Sequence, residues 1–191
     1  VGTPAFPPLS GRRPFPLPRW RWDWLFLTPI LGVGVVDQAS KAAVRLLLPE
    51  GASIPLTSFL ALAHVTNTGG AFGLFQGKTL FLIGASLVAL LVLLLSYRHS
   101  HRSSPLTRLC LGLIVGGAIG NLVDRIRLGY VVDFIDLGWW PVFNIADSSI
   151  VAGITGLSLS YLVAQSRGHR RVVVQPLPRE RFRRRPPEVG C

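Results

Sequence analysis

The sequence predicts an all-α integral membrane protein: four transmembrane helices with a small extracytoplasmic strand or loop element. Three observations predict it. Of the 191 residues 49% are hydrophobic and only 15% charged, a balance unusual for a soluble globule. Thr79 to Tyr97 and Ser148 to Ser166 are each 19 residues without a charge, close to the ~20 that a helix needs to cross a bilayer. The basic residues are also segregated. Of the 20 Lys and Arg, 15 lie before Trp22, between Arg98 and Arg108, or from Arg167 onward, in three segments that alternate with the apolar runs. Cytoplasmic segments are enriched in Lys and Arg, so all three are placed inside, with both termini cytoplasmic.

Taken in order, residues 1–21 read as a cytoplasmic Pro/Arg-rich tail, 22–167 as the four-helix membrane domain, and 168–191 as a second cytoplasmic Arg/Pro-rich tail. The first helix, Trp24 to Leu48, reaches spanning length only if its polar end, Asp37, Lys41 and Arg45, is carried to membrane depth. Asp37 and Lys41 stand four apart with the acid first, the favourable order for a helical ion pair. Its apolar run carries no small-residue cleavage site and is read as an anchor rather than a leader. Next comes HVTNTGGAFGLF, residues 64–75, whose alternation and Gly-Gly pair suggest a short strand and a tight turn. Asn67 within it can both donate and accept hydrogen bonds to a peptide. The second span is Thr79 to Tyr97.

In the third span, Leu109 to Arg127, small residues recur at Gly112, Gly116 and Gly120, a stripe that lets a neighbouring backbone approach closely. Gly117, Asn121 and Arg125 form a second stripe on an adjacent face. Adjacent residues point apart, so Arg125 is expected to find a partner other than Asp124. The fourth span opens with FNIADSSI, in which Asn144 and Asp147 have the spacing of a capping box. Trp20, Trp22 and Trp24 fall at the predicted inner boundary, Trp139 and Trp140 at the outer one, as an aromatic belt requires.

Several chemistries are disfavoured. Cys110 and Cys191 are placed too differently for a structural disulfide. There is no H-E-x-x-H pair, and His64, His99, His101 and His169 are scattered, so no metal and no cofactor is expected. Ser86, in GASL, lacks a nucleophile elbow and a His partner. The run RERFRRR at 179–185 is read as fixing orientation and touching anionic membrane lipid, not as a nucleic-acid site.

Topology gathers the polar residues. With both termini inside, Asp37, Asn67, Asn121, Asp124, Arg125, Asp133, Asn144 and Asp147 all come near the outer face, while the inner halves of the spans are almost uniformly apolar. That pattern suggests a site rather than a pathway through the membrane. Two carboxylates sharing a dry pocket hold one proton between them, so one can activate water while the other polarises a peptide carbonyl. Asp147 faces such a role across the WWP connection, whose aromatic rings would exclude water; position alone does not separate Asp133 from Asp136 as its partner. The competing reading is a non-enzymatic membrane protein whose polar cluster binds lipid or a partner helix.

Five blocks resemble the signatures of the bacterial signal peptidase II family: DQASK at 37–41, NTGGAF at 67–72, GGAIGNLVDR at 116–125, GYVVDFI at 129–135 and FNIADS at 143–148. They occur in family order and span about residues 22–166. The second Gly of NTGGAF stands where the family often has Ala. The resemblance implies an aspartic endopeptidase of the bacterial inner membrane with its site near the extracytoplasmic face, cutting diacylglyceryl-modified prolipoproteins just before the lipidated cysteine. It implies that Asp133 and Asp147 are the catalytic pair, that Asn67, Asn121, Arg125 and Asn144 bind substrate or globomycin-type inhibitors, and that Asp37, Lys41 and Asp124 are supporting.

Overall fold

The structure is a computed structural model that describes residues 23–70, 73–99 and 104–173. Trp20, Trp22, the Ala71–Phe72 pair of the NTGGAF block, RERFRRR and Cys191 lie outside the described residues. The elements run α1 (Trp24–Leu47), β1 (Ser53–Pro55), β2 (Ala61–Asn67), α2 (Thr79–His99), α3 (Pro105–Leu128), β3 (Val131–Asp136) and α4 (Ile145–Val173). Thr79–Arg98, Pro105–Leu128 and Ile145–Val163 are long and apolar enough to cross a membrane. Together with the sheet they make a mostly helical membrane protein. Helix α1 matches them in length, with 24 residues, roughly 36 Å at 1.5 Å per residue. It carries Asp37, Lys41 and Arg45 in its second half and is not one of those three.

Local chemistry accounts for the boundaries. Ser104 caps α3, its hydroxyl accepting from the Thr107 N–H at 3.2 Å with Pro105 at the first helical position. Gly129, at φ +85°, ends α3 in the left-handed conformation that glycine adopts without penalty, and its N–H returns to the Arg125 carbonyl. The chain is thereby turned straight into β3.

Helix α3 is the centre of the bundle, contacting α1, α2 and α4. Its two small-residue stripes face different neighbours. A Cβ on Gly112 would meet the Phe26 carbonyl and Pro29 of α1, and one on Gly117 would meet Ala146, Ser149 and Ile150 of α4. Gly120 lies at the crossing of all three helices, where a Cβ would stand 2.6 Å from Asp37 Oδ2 and 3.3 Å from the Ala146 Cβ. Gly120→Ala is therefore expected to cost about 1–3 kcal/mol through overpacking, read as a lower unfolding midpoint in lipid micelles. An unchanged midpoint would rule out this close crossing.

Phe26, Leu90, Leu111, Val115 and Leu122 form one apolar core between the helices; Val44, Leu48, Val132 and Phe134 form a second where α1 meets the sheet. Helix α2 packs on α3 and turns most of its apolar surface outward, with Leu80 85% exposed, as expected for a lipid-facing helix. At the end away from the sheet, Asp23 accepts from Tyr97 and from Arg108, tying the termini of α1, α2 and α3.

The three strands form an antiparallel sheet in the order β1-β2-β3. Strand β3 was not evident as a strand in the sequence, because Val131, Val132, Asp133 and Phe134 are all buried and no alternation survives. The sheet sits at the end of the bundle where α1 and α3 finish and α2 and α4 begin; there the Thr79 hydroxyl donates to the Gly129 carbonyl at 2.8 Å.

Candidate active site

Five elements bring the predicted polar residues together at the sheet end of the bundle. In the β2–β3 ladder Val65 faces Asp133 and Asn67 faces Val131, so Asn67 is the diagonal same-face neighbour of Asp133. Its side-chain amide donates to Asp133 Oδ2 at 2.9 Å, while its own oxygen accepts from the Gly69 N–H. Asn67 is thus both the turn residue its sequence suggests and a partner of the carboxylate.

The start of α4 supplies the other half. Asp147 N–H donates to Asn144 Oδ1 at 2.9 Å and Asn144 N–H to Asp147 Oδ2 at 3.4 Å, a reciprocal capping box with Asp as distal member. Asn144, fully buried, also donates its side-chain amide to Asp133 Oδ1 at 2.6 Å. One asparagine therefore holds both carboxyl groups. From α3, Asn121 donates to Asp147 Oδ1 at 2.7 Å. Each carboxylate is held through neutral amides, with no ion pair to either among the described residues.

Behind this set lies a buried charge cluster. Lys41 Nζ reaches Asp37 Oδ2 at 2.8 Å, Asp124 Oδ2 at 2.9 Å and Asn121 Oδ1 at 2.9 Å, using all three of its N–H groups. By occupying the Asn121 oxygen, Lys41 leaves that side chain's NH₂ directed at Asp147. Asp37 accepts from the Ala146 N–H at 2.9 Å and so anchors the first turn of α4. Asp124 takes Gln38 Nε2 at 2.8 Å as well as the lysine. Gln38 is the contributor that residue-by-residue reasoning passed over, although it lies inside the DQASK block.

Arg125 turns away from Asp124 and donates to the Gly69 carbonyl at 3.0 Å, on the segment that follows Asn67. Its guanidinium still lies within the electrostatic reach of Asp147, Asp133 and Asp124. Asp136 is separated from the cluster. It is an odd number of residues from Asp133, so it points to the other face of β3, where it accepts from the Gly138 N–H in the following turn.

The WWP rings are not closed over the pair, since Trp139 is 76% and Trp140 44% exposed. They form instead one side of a cavity of about 480 Å³ lined also by Leu137, Phe143, Asp147, Ser148, Val151 and Ala152. Asp133 is kept dry by the strands and amides around it, at 2% exposure. Burial raises its pKa to about 6, and the nearby Asp147 charge adds to the shift against the opposing hydrogen bonds from Asn67 and Asn144. Among the described residues no group of three or more His, Cys, Asp and Glu is placed to hold a metal.

Comparisons with known proteins point the same way. Residues 30–163 match the family described as signal peptidase (SPase) II. The lipoprotein signal peptidase of Moorella thermoacetica is 46% identical over 130 residues, 68% of this chain and 87% of the relative. That of Syntrophomonas wolfei is 48% identical over 140 residues, 72% of this chain and 91% of the relative. A bacterial membrane enzyme solved by the in meso method at 2.3 Å resolution superposes with a TM-score of 0.70 at 29% identity, covering 73% of this chain and 88% of that one. The matched region contains α2, α3, the sheet and every candidate site residue, and the chain belongs to the signal peptidase II family of membrane proteases.

Proposed function

We propose that this chain is an aspartic endopeptidase of the bacterial cytoplasmic (inner) membrane that removes the signal peptide from diacylglyceryl-modified prolipoproteins, cutting just before the lipidated cysteine. The observation that carries the reading is the joint hold of Asn144 on both carboxyl groups, its side-chain amide donating to Asp133 and its backbone N–H to Asp147, in one partly dry, amide-lined site. In this reading α1 is the fourth span, residues 22–167 are the membrane domain, and both basic tails lie in the cytoplasm. The sheet end of the bundle is extracytoplasmic.

The chemistry follows from the pair. The ionised carboxylate takes a proton from a water molecule, whose oxygen attacks the scissile carbonyl carbon; the protonated partner hydrogen-bonds the carbonyl oxygen and gives it the proton. Collapse of the tetrahedral species breaks the C–N bond as a proton passes to the leaving amine of the cysteine, and the pair again holds one proton. Asn67, Asn121 and Asn144 fix the carboxyl orientations and offer amide groups to the substrate backbone, and Arg125 steadies the Gly69 segment above them. Asp37, Lys41 and Asp124 hold Asn121 and the start of α4 in place. The apolar cavity that ends on Asp147 suits the hydrophobic side of the substrate, which its lipid chains confine to the membrane plane. That confinement contributes positioning that a soluble protease must supply by binding.

The test is cleavage by the purified chain in lipid micelles of a prolipoprotein carrying or lacking the diacylglyceryl group. Release of the signal peptide from the lipidated form alone, unaffected by chelators and serine reagents and blocked by globomycin, is the expected result. Equal cleavage of both forms would overturn the substrate assignment.

A pH dependence also follows. The shared proton is lost as pH rises through the raised value of about 6 at Asp133, so kcat/KM of the free enzyme is expected to fall on the alkaline side, about tenfold per unit once well above it. Asn67→Ala removes a hydrogen bond that favours the ionised form and is expected to move this limb to higher pH. A limb that stays in place in the variant would separate Asn67 from the titration.

A further inference from the structure

A second small pocket lies between the sheet-side ends of α1 and α3. Its volume is about 70 Å³ and it is lined by Gln38, Lys41, Ala42, Arg45, Asp124, Arg127, Leu128 and Val132. Three cations and one carboxylate thus border a space of about two water molecules' volume, enough for a single oxyanion group and too small for an acyl chain.

The charges are not balanced from within. All three N–H groups of Lys41 are used by Asp37, Asp124 and Asn121, and both oxygens of Asp124 are taken, Oδ1 by Gln38 and Oδ2 by Lys41. Arg45 and Arg127 are exposed, and among the described residues neither has a hydrogen-bond or ion-pair partner. A cation in the last turn of a helix favours its own helix end, which accounts for one basic residue on α1 and one on α3. It does not account for both bordering the same pocket. The residues beside them are apolar and outward-facing, with Leu46 85%, Leu47 78% and Ile126 63% exposed. A charged recess flanked by greasy surface matches the two ends of a lipid, and free phosphate would have no use for the flanks.

We propose that this pocket binds the phosphate of an anionic phospholipid from the leaflet on the sheet side, with Arg45 and Arg127 as its ligands. Lys41 forms the floor of the pocket and, through Asn121, the back of the carboxyl site, so a bound headgroup sits one hydrogen bond behind the residues that orient Asp147. The proposal uses the four-span reading only to place these helix ends at headgroup depth, and its test cuts no peptide bond.

The full chain in neutral detergent micelles is titrated with phosphatidylglycerol or phosphatidylcholine, and retained lipid is counted by native mass spectrometry. The wild type is expected to hold one phosphatidylglycerol under conditions that strip phosphatidylcholine. The Arg45→Gln/Arg127→Gln double variant is expected to bind it about thirtyfold more weakly, for two cations near an anionic group. Lys78→Gln, an exposed cation outside the pocket, should bind as the wild type does. Equal retention by the wild type and the double variant, at matched unfolding midpoints, would overturn the proposal. So would displacement of the lipid by inorganic phosphate at equal concentration, which would assign the pocket to the free anion.

Discussion

Replacing Asp133 or Asp147 by Asn is expected to lower kcat for a lipid-modified prolipoprotein by about 10⁴-fold or more, because each removes half of a unit that acts as one. The chain should remain folded in both cases. Asp133 accepts from two amide donors, Asn67 and Asn144, and an Asn there satisfies one with its oxygen while its NH₂ faces the other. That mismatch costs about 1 kcal/mol, far too little to explain the loss of activity by unfolding. At Asp147 the same exchange keeps the volume and leaves the Asn121 amide and the Asn144 N–H to find one oxygen between them. The two variants are to be assayed in parallel, with the unfolding midpoint measured on the same samples. Residual turnover within tenfold of wild type in either one would remove the two-carboxyl mechanism, whereas Asp136→Asn, on the far face of β3, is expected to leave turnover unchanged.

A second large effect is expected at Asp37, and it should appear in stability first. Asp37 is fully buried, pairs with Lys41 and accepts from the first turn of α4. Asp37→Ala leaves the lysine with one carboxylate instead of two and the Ala146 N–H without its acceptor. Breaking a buried pair by removing one partner costs about 3–5 kcal/mol, so most of the chain should fail to accumulate in membranes or should lose its unfolding transition at ordinary temperatures. Asp37→Asn keeps the acceptor for Ala146 and is expected to be milder. Wild-type stability in Asp37→Ala would show that the α1–α3–α4 crossing is held by packing alone.

The active-site consequences differ for the two cases. The Asn variants of Asp133 and Asp147 remove a group that can take up and give up a proton and leave geometry, whereas loss of Asp37 removes geometry through Lys41 and Asn121. Substrate binding should therefore survive the first pair of substitutions, and globomycin should still bind them, while the surviving folded fraction of an Asp37 variant should bind it poorly.

Much of this protein can be read from the order of its residues. Uncharged run lengths marked α2 and α4, because lipid imposes a composition on any segment that crosses it. The glycine spacing in α3 announced one close contact, since a helix repeats its faces every three to four residues, and the structure turns that stripe to α1, while Gly117 on the adjacent face meets α4 as well. The capping box at Asn144 and the ion pair of Asp37 with Lys41 were legible for the same reason: both are local, within one helical turn. Resemblance of the five blocks to a known family supplied the pairing of Asp133 with Asp147, which spacing had left open between Asp133 and Asp136.

What only the tertiary structure decided is everything that depends on contacts far apart in the chain. Strand β3 shows no alternation, so its pairing with β2, and with it the hydrogen bond from Asn67 to Asp133 across 66 positions, exists only once the sheet forms. The face of β3 separates Asp136 from Asp133, and the two tryptophans, largely exposed, border the cavity that reaches Asp147. Gln38 reaching Asp124, Lys41 filling the oxygen of Asn121, and Arg45 and Arg127 bordering one pocket are likewise products of the crossing of α1 with α3. Composition and short-range periodicity are dictated by the solvent each segment must face and can be read one segment at a time. The amide-lined cluster around Asp133 and Asp147 depends on which side chains converge, and convergence is a property of packing, to which no single segment holds the answer.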